Sequence, residues 1–191
     1  MDSLHDLYID ELKDLYSAEN QILKALPKMV KKASAQELKD AFSEHLEITR
    51  KQVERLDQIF GELGVNPKGK KCKAMEGLLE EGKEVLEEEG EPAVLDAALI
   101  AAAQRVEHYE MAGYGCVRTF ARLLEYAGAE QLLQETLDEE AEADEKLTTL
   151  AETVINVRAE ETEGDEGDEE EVAAAGARNG RSVPKATKKK R

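Results

Sequence analysis

Four carboxylates occupy positions where the surrounding helical pattern calls for apolar side chains. Glu19, Glu110, Glu140 and Asp144 each fall on an apolar stripe when the chain is read at 100° per residue. A buried carboxylate is costly unless it is paired, protonated or bound to a cation, so this placement carries chemical information. An offset of 91 residues superposes Glu19 on Glu110 and pairs Glu140 with Thr49. In four-helix proteins that hold two metal ions, one Glu comes from each of two helices and a Glu-x-x-His from each of the other two, all pointing inward. Oxygen and imidazole donors in that layout suit iron or manganese.

The layout is only partly met. On the second helix the repeat-related residues are Thr49 and Gln52, neither a strong ligand, and His45, one turn earlier, is the only imidazole on that apolar stripe. Farther along, Glu140 is followed three residues later by Ala143, so Asp144 has to stand in for the missing histidine. Glu47 of Glu47-x-x-Arg50 projects about 180° from the stripe centre and reads as a surface residue. His5 and His108 read as solvent-facing. Tyr8, Tyr16, Tyr109 and Tyr114 read first as packing residues, although a tyrosine beside a metal can donate to a carboxylate or act as a redox partner.

The elements that must position these groups are helices. The first is predicted over 2–33, with Leu4, Leu7, Tyr8, Leu12, Leu15, Ile22, Leu23 and Leu26 flanking Glu19, and Pro27 placed to kink its last turns. The second is predicted over 35–63, opened by Ser34 as N-cap with Glu37 at the capping-box position and closed by Gly64. A loop carrying Pro67 and Gly69 leads to a shorter helix at 72–89. The third long helix is predicted over 92–127, and its Gly113 marks a close helix–helix approach, since a mid-helix glycine costs about 1 kcal/mol against alanine. The fourth follows Gly128 over 129–158. Two helical hairpins joined by a crossover containing a short helix define an all-α, ferritin-like four-helix bundle.

Composition agrees and narrows the function. Among 191 residues, 41% are apolar, only 4% are aromatic and none is Trp, a pool that favours helix over strand. No apolar run reaches membrane-spanning length, and the first residues lack a signal-peptide layout, which predicts a soluble, cytoplasmic protein. Cys72 and Cys116 are too far apart in sequence for a thiolate zinc motif and read as reduced small hydrophobes. The formal charge is −17, of which residues 1–158 carry −15, so the folded surface disfavours nucleic acid. Residues 159–191 run from an acidic block, Glu160 to Glu171, to the basic Lys185–Arg191, and are predicted to be a disordered tail. That basic end is the one segment suited to nucleic acid, weakly, because the acidic block competes with phosphate. No phosphate loop, dinucleotide fingerprint or nucleophile–base triad is present.

Longer motifs then resemble a known family. Leu15-Tyr16-Ser17-Ala18-Glu19 with Ala25-Leu26-Pro27-Lys28, His45-Leu46-Glu47 with Glu54-Arg55-Leu56, and Cys72-Lys73-Ala74-Met75-Glu76-Gly77-Leu78 resemble the YciE/YciF family of bacterial stress-response proteins. Asp96 to Gln104, Val106-Glu107-His108-Tyr109-Glu110 and Glu135 to Glu140 with Asp144-Glu145-Lys146-Leu147 extend the match to about residues 3–157. The resemblance implies a ferritin-like bundle, usually a cytoplasmic homodimer, linked to osmotic or general stress, with a di-iron or di-manganese centre and no established reaction. It implies Glu19, Glu110, Glu140 and Asp144 as metal ligands, with Glu107 and His45 as further candidates. Where the family commonly carries Glu after the His-Leu-Glu run this chain has Ile48, and where some members carry His it has Arg50 and Gln52. Three functions follow from this reading: a metal-binding oxidoreductase of ferroxidase or peroxidase type, a non-catalytic scaffold of the stress response, or nucleic-acid association through the tail.

Overall fold

The computed structural model describes residues 1–161. Its helices are α1 (Leu4–Lys32), α2 (Gln36–Leu63), α3 (Lys73–Glu87), α4 (Pro92–Leu123) and α5 (Ala127–Leu150). A π-helical turn, Ala151–Ile155, follows α5 and helix continues over 156–161. There is no strand among the described residues, and no helix is long and apolar enough to cross a membrane. The expected acidic-then-basic tail lies, from residue 162 onward, outside the described residues.

Helix boundaries follow from how each end satisfies its free backbone groups. Ser3 caps α1, its Oγ accepting from the Asp6 amide at 3.0 Å, and Lys31 and Lys32 sit favourably in the last turn. The helix runs through Pro27, whose ring lies on the exposed side. The second helix corrects the expected capping box. Ala35 occupies its N-cap without a side-chain bond, and Glu37 turns outward to Arg158 at 3.2 Å. The cap comes instead from α4. Buried Asp96 accepts from the amides of Ser34 and Ala35, each at 2.8 Å, and from the Ser34 hydroxyl at 2.6 Å.

Gly64, at φ +66°, ends α2 as expected. The end of α4 comes earlier than predicted. Glu125 adopts φ +62°, and the amides of Glu125 and Tyr126 bond to the carbonyls of Arg122 and Ala121, a Schellman closure built without glycine. Tyr126 is held there by stacking on Tyr8, with ring centroids 5.8 Å apart. Consequently α5 begins at Ala127, with Gly128 inside its first turn rather than before it.

The hairpins α1–α2 and α4–α5 pack side by side. Contacts such as Leu15 with Gly113 and Ser34 with Asp96 run α1 antiparallel to α4. Pairs Arg55–Glu139 and Lys146–Glu44 likewise run α2 antiparallel to α5. The crossover helix α3 lies against α1 and α4. It is anchored by Cys72, a capping residue rather than a plain hydrophobe: its Sγ receives the Met75 amide at 3.4 Å and meets the Tyr109 hydroxyl at 2.9 Å. The same hydroxyl donates to Asp14 at 2.5 Å, which brings α3, α4 and α1 together at one point.

The apolar core is divided. One cluster holds Ile22, Leu26, Leu38, Phe42, Met75, Leu99, Ile100 and Leu147, and the other holds Tyr8, Leu12, Leu15, Leu56, Phe60, Val117 and Leu133. Along each long helix the boundary between them is occupied by buried polar residues: Glu19; His45, Thr49 and Gln52; Glu107 and Glu110; Thr136 and Glu140.

Two outcomes test this packing. Asp96→Ala orphans two amides at the start of α2 and is expected to cost about 2–3 kcal/mol in urea unfolding, against less than about 1 kcal/mol for Ser34→Ala. A Cβ on Gly113 would stand 2.7 Å from Leu15 Cδ2, so the end of that buried side chain would have to shift within the core. Gly113→Ala is therefore expected to lower stability by about 1 kcal/mol net, the clash outweighing the gain in helix propensity; a rise in melting temperature would contradict it.

Candidate metal centre

Each helix of the bundle delivers a polar side chain to the layer between the two apolar clusters. From α2 comes His45, from α4 the pair Glu107 and Glu110 one turn apart, and from α5 Glu140, all four buried. One donor atom from each lies within 4.8 Å of the others. The His45 Nε2 is 3.4 Å from Glu107 Oε1 and 3.9 Å from Glu140 Oε2. Glu19 of α1, fully buried, completes the carboxylate group and accepts a hydrogen bond from the Tyr114 hydroxyl through Oε1.

These carboxylates have little else to satisfy them. Glu19 Oε2, Glu107 Oε2, Glu110 Oε1, both oxygens of Glu140 and both ring nitrogens of His45 are buried without a hydrogen-bond partner. The nearest guanidinium, Arg55, is committed to Glu139 by two bonds of 2.6 and 2.7 Å and to Thr136 at 3.2 Å. Burial, followed by repulsion from Glu140, holds the Glu19 carboxyl well above the usual range, and burial followed by repulsion from Glu19 does the same to Glu110. Burial and then Glu107 raise Glu140, and Glu107 itself is pushed up to about 7, chiefly by burial. Burial also lowers His45, which favours the neutral imidazole with a free lone pair.

Orphaned donors of this type fit a cation. Ligand atoms 2.0–2.2 Å from one ion can stand at most about 4.4 Å apart, close to the 4.8 Å within which these donor atoms lie. One imidazole with three carboxylates, and a fourth beside them, is a donor set for manganese or iron, and zinc shares its first ligands.

Sequence-derived candidates divide clearly. The structure brings together His45, Glu107, Glu110 and Glu140, with Glu19 adjoining. It does not bring Asp144. Four residues beyond Glu140, Asp144 is rotated about 40° around α5 and faces α4, where Gln104 donates to it at 3.1 Å and His108 stands 3.3 Å away. Glu107 takes its place in the layer, although helical periodicity alone left it off the stripe. The reason is the burial of α4, which packs against α1, α3 and α5 and so hides a wider arc than a helix with two neighbours. Thr49 bonds its own helix at the His45 carbonyl and Gln52 donates to Glu139, consistent with their reading as non-ligands. His108 and Glu47 are exposed as expected, while His5 is half-covered by Tyr126. The Arg55–Glu139 pair was not anticipated; the only sequence signal for it was an arginine and a glutamate each one position from a buried residue.

Comparison with known proteins places this arrangement. Residues 3–160 match the family described as a domain of unknown function, DUF892. Protein YciF of Escherichia coli (strain K12) is 53% identical over 121 residues, covering 63% of this chain and 73% of YciF. The crystal structure of the E. coli stress protein YciF matches with a TM-score of 0.79 at 49% identity, over 82% of this chain and 99% of that one. YcfI from Rhodopseudomonas palustris matches at 0.76 and 44% identity, over 78% and 95%. A protein from Xanthomonas campestris pv. campestris, only 18% identical, shares the fold at 0.69 over 84% and 99%. The chain is therefore a member of the DUF892 family, the group of helical proteins that includes the stress protein YciF.

Proposed function

We propose that this protein is a ferritin-like stress-response protein built around a carboxylate-rich centre for iron or manganese. The observation that carries the reading is the cluster of His45, Glu107, Glu110 and Glu140, whose buried donor atoms lie within 4.8 Å of one another and face chiefly each other, several of them without a hydrogen bond. Similarity to the E. coli stress protein YciF supports the physiological setting.

The first ion belongs to those four residues. Glu19 adds the carboxylate that a second ion would share with Glu110 and Glu140, and Tyr114 fixes that carboxylate by donating to one oxygen while leaving the other free. Thr49 and Gln52 of α2, which bond to the His45 carbonyl and to Glu139, offer no strong ligand, so a second ion would be held more weakly than the first. Bound iron or manganese would supply a redox-active Lewis acid for oxidation of Fe²⁺ or consumption of peroxide. The apolar clusters above and below give the layer a low-dielectric setting, which strengthens the charge interactions within it.

Metal titration tests the proposal. The chain prepared without chelator and titrated with Mn²⁺ or Fe²⁺ is expected to take up one ion tightly and a second at least tenfold more weakly, counted by plasma mass spectrometry and calorimetry. At a hundredfold excess over its Kd, the first ion should stabilise the fold by about 2.7 kcal/mol. Glu140→Gln should abolish that stabilisation while making the metal-free protein no less stable. Failure to bind either ion at millimolar concentration would reassign the carboxylates as protonated core groups.

The pH dependence has a definite sign. Glu19, Glu107, Glu110 and Glu140 all bind their protons more tightly folded than unfolded. Their contribution to the stability of the metal-free protein is thus full below the ordinary carboxyl value of 4.5 and falls as pH rises through about 7, the folded value of Glu107. With saturating Mn²⁺ the trend should reverse, because the ion binds the deprotonated ligands. Urea unfolding at pH 5, 6, 7 and 8, with and without Mn²⁺, measures both slopes; parallel curves would contradict the assignment.

A further inference from the structure

The polar layer is reachable from the surface at one rimmed opening. Between α2 and α5 a cavity of about 90 Å³ has an apolar wall of Ala41, Phe42, Ile48, Ala143 and Leu147, and His45 and Glu107 at its inner end. Those two residues are 7% and 3% exposed, and both ring nitrogens of His45 and one oxygen of Glu107 lack partners. The mouth carries Glu44, Glu139, Glu142 and Lys146. Glu139 is neutralised by Arg55, and Glu44 is engaged by the Lys146 ammonium, which crosses from α5 to α2. Glu142 remains as an exposed carboxylate at the rim. A second, smaller cavity of about 30 Å³ reaches the same histidine and glutamate from beneath α3, but its remaining lining, including Ile22, Leu26, Met29, Leu78 and Leu79, is apolar.

We infer that the cavity between α2 and α5 is the entry port for the divalent cation, with Lys146 as its gate. A hydrated dication is drawn by carboxylates and repelled by an ammonium, and it loses water most easily where ligand atoms wait unpartnered. Of the two cavities only this one offers carboxylates at its mouth as well as donors at its floor. The Lys146–Glu44 pair spans the mouth with both side chains roughly half exposed, 45% and 61%. Ion pairs so exposed contribute little and exchange readily, so the gate opens without disturbing the fold and, once open, frees Glu44 to receive the ion. The path from Glu44 and Glu142 to His45 and Glu107 then runs between small residues, Ala41 and Ala143, that leave the passage clear.

The inference rests on the metal-binding reading, and kinetics separates the two. The full chain, metal-free, is mixed with Co²⁺ in a stopped-flow instrument and uptake is followed by the ligand-field absorption of the bound ion, with Kd taken from equilibrium titration. Lys146→Gln is expected to raise the association rate about threefold or more, and Glu142→Gln to lower it about twofold, each effect shrinking at high salt. Both should leave Kd within about twofold, since entry and exit use the same passage. Ala143→Leu should slow entry and exit together by more than about tenfold with the thermal transition retained, whereas Glu80→Gln on α3 should change nothing. Binding at unchanged rates in Lys146→Gln, Glu142→Gln and a folded Ala143→Leu would overturn the port while leaving the metal centre standing. Absence of Co²⁺ binding in the unaltered chain would overturn both.

Discussion

Burying several carboxylates in one layer across the middle of a bundle is the constraint to which the rest of this structure answers. Four inward glutamates and a neutral imidazole meet where the two apolar clusters end, and no arginine or lysine enters among them. Such a layer is tolerated only because everything around it is settled: the clusters on either side are dry, Arg55 and Glu139 close one flank by mutual pairing, and Tyr114 holds Glu19 in place. The free energy left in orphaned carboxylates is a reservoir that protons or a cation can draw on. In the metal-free bundle these groups cost stability, a commitment that the apolar packing on either side carries.

The crossover helix matters to that commitment more than its length suggests. It packs against α1 and against α4, the helix that contributes two buried donors a turn apart, Glu107 and Glu110. Its attachment through Cys72, Tyr109 and Asp14 places a hydrogen-bonded clasp beside the layer, one residue from Glu110 in sequence. The bundle is consequently asymmetric about its internal repeat. The half containing α4 and α5 supplies three carboxylates to the layer and the half containing α1 and α2 supplies one carboxylate and the histidine.

Much of this was legible in the sequence. Long amphipathic stripes with glycine and proline between them fixed the number and order of the helices, and Glu19, His45, Glu110 and Glu140 stood out because charge at the centre of an apolar stripe is rare. Close approach at Gly113 was likewise readable from a glycine in a helix interior. What failed did so where tertiary contacts overrode local pattern. Asp144 lay on the stripe within the tolerance of a helical wheel, but forty degrees of rotation sent it to Gln104 instead of the centre. Glu107 was named only through the family resemblance, because periodicity alone does not tell how many neighbours α4 has. The start of α2 was misread because its cap, Asp96, lies 62 residues away, and the end of α4 because Glu125 adopts a backbone conformation that glycine usually supplies.

That distant cap also bears on how the molecule can be divided. Two hairpins related by a repeat suggest two modules, each able to form by itself. Yet the first turn of α2 is completed by a side chain of α4, so the leading hairpin has an unfinished helix until the trailing one docks. Synthesis delivers the halves in the opposite order to that dependence. The amides at the entry to α2 therefore gain their side-chain partner only when α4 docks, which ties the start of one hairpin to closure of the whole bundle.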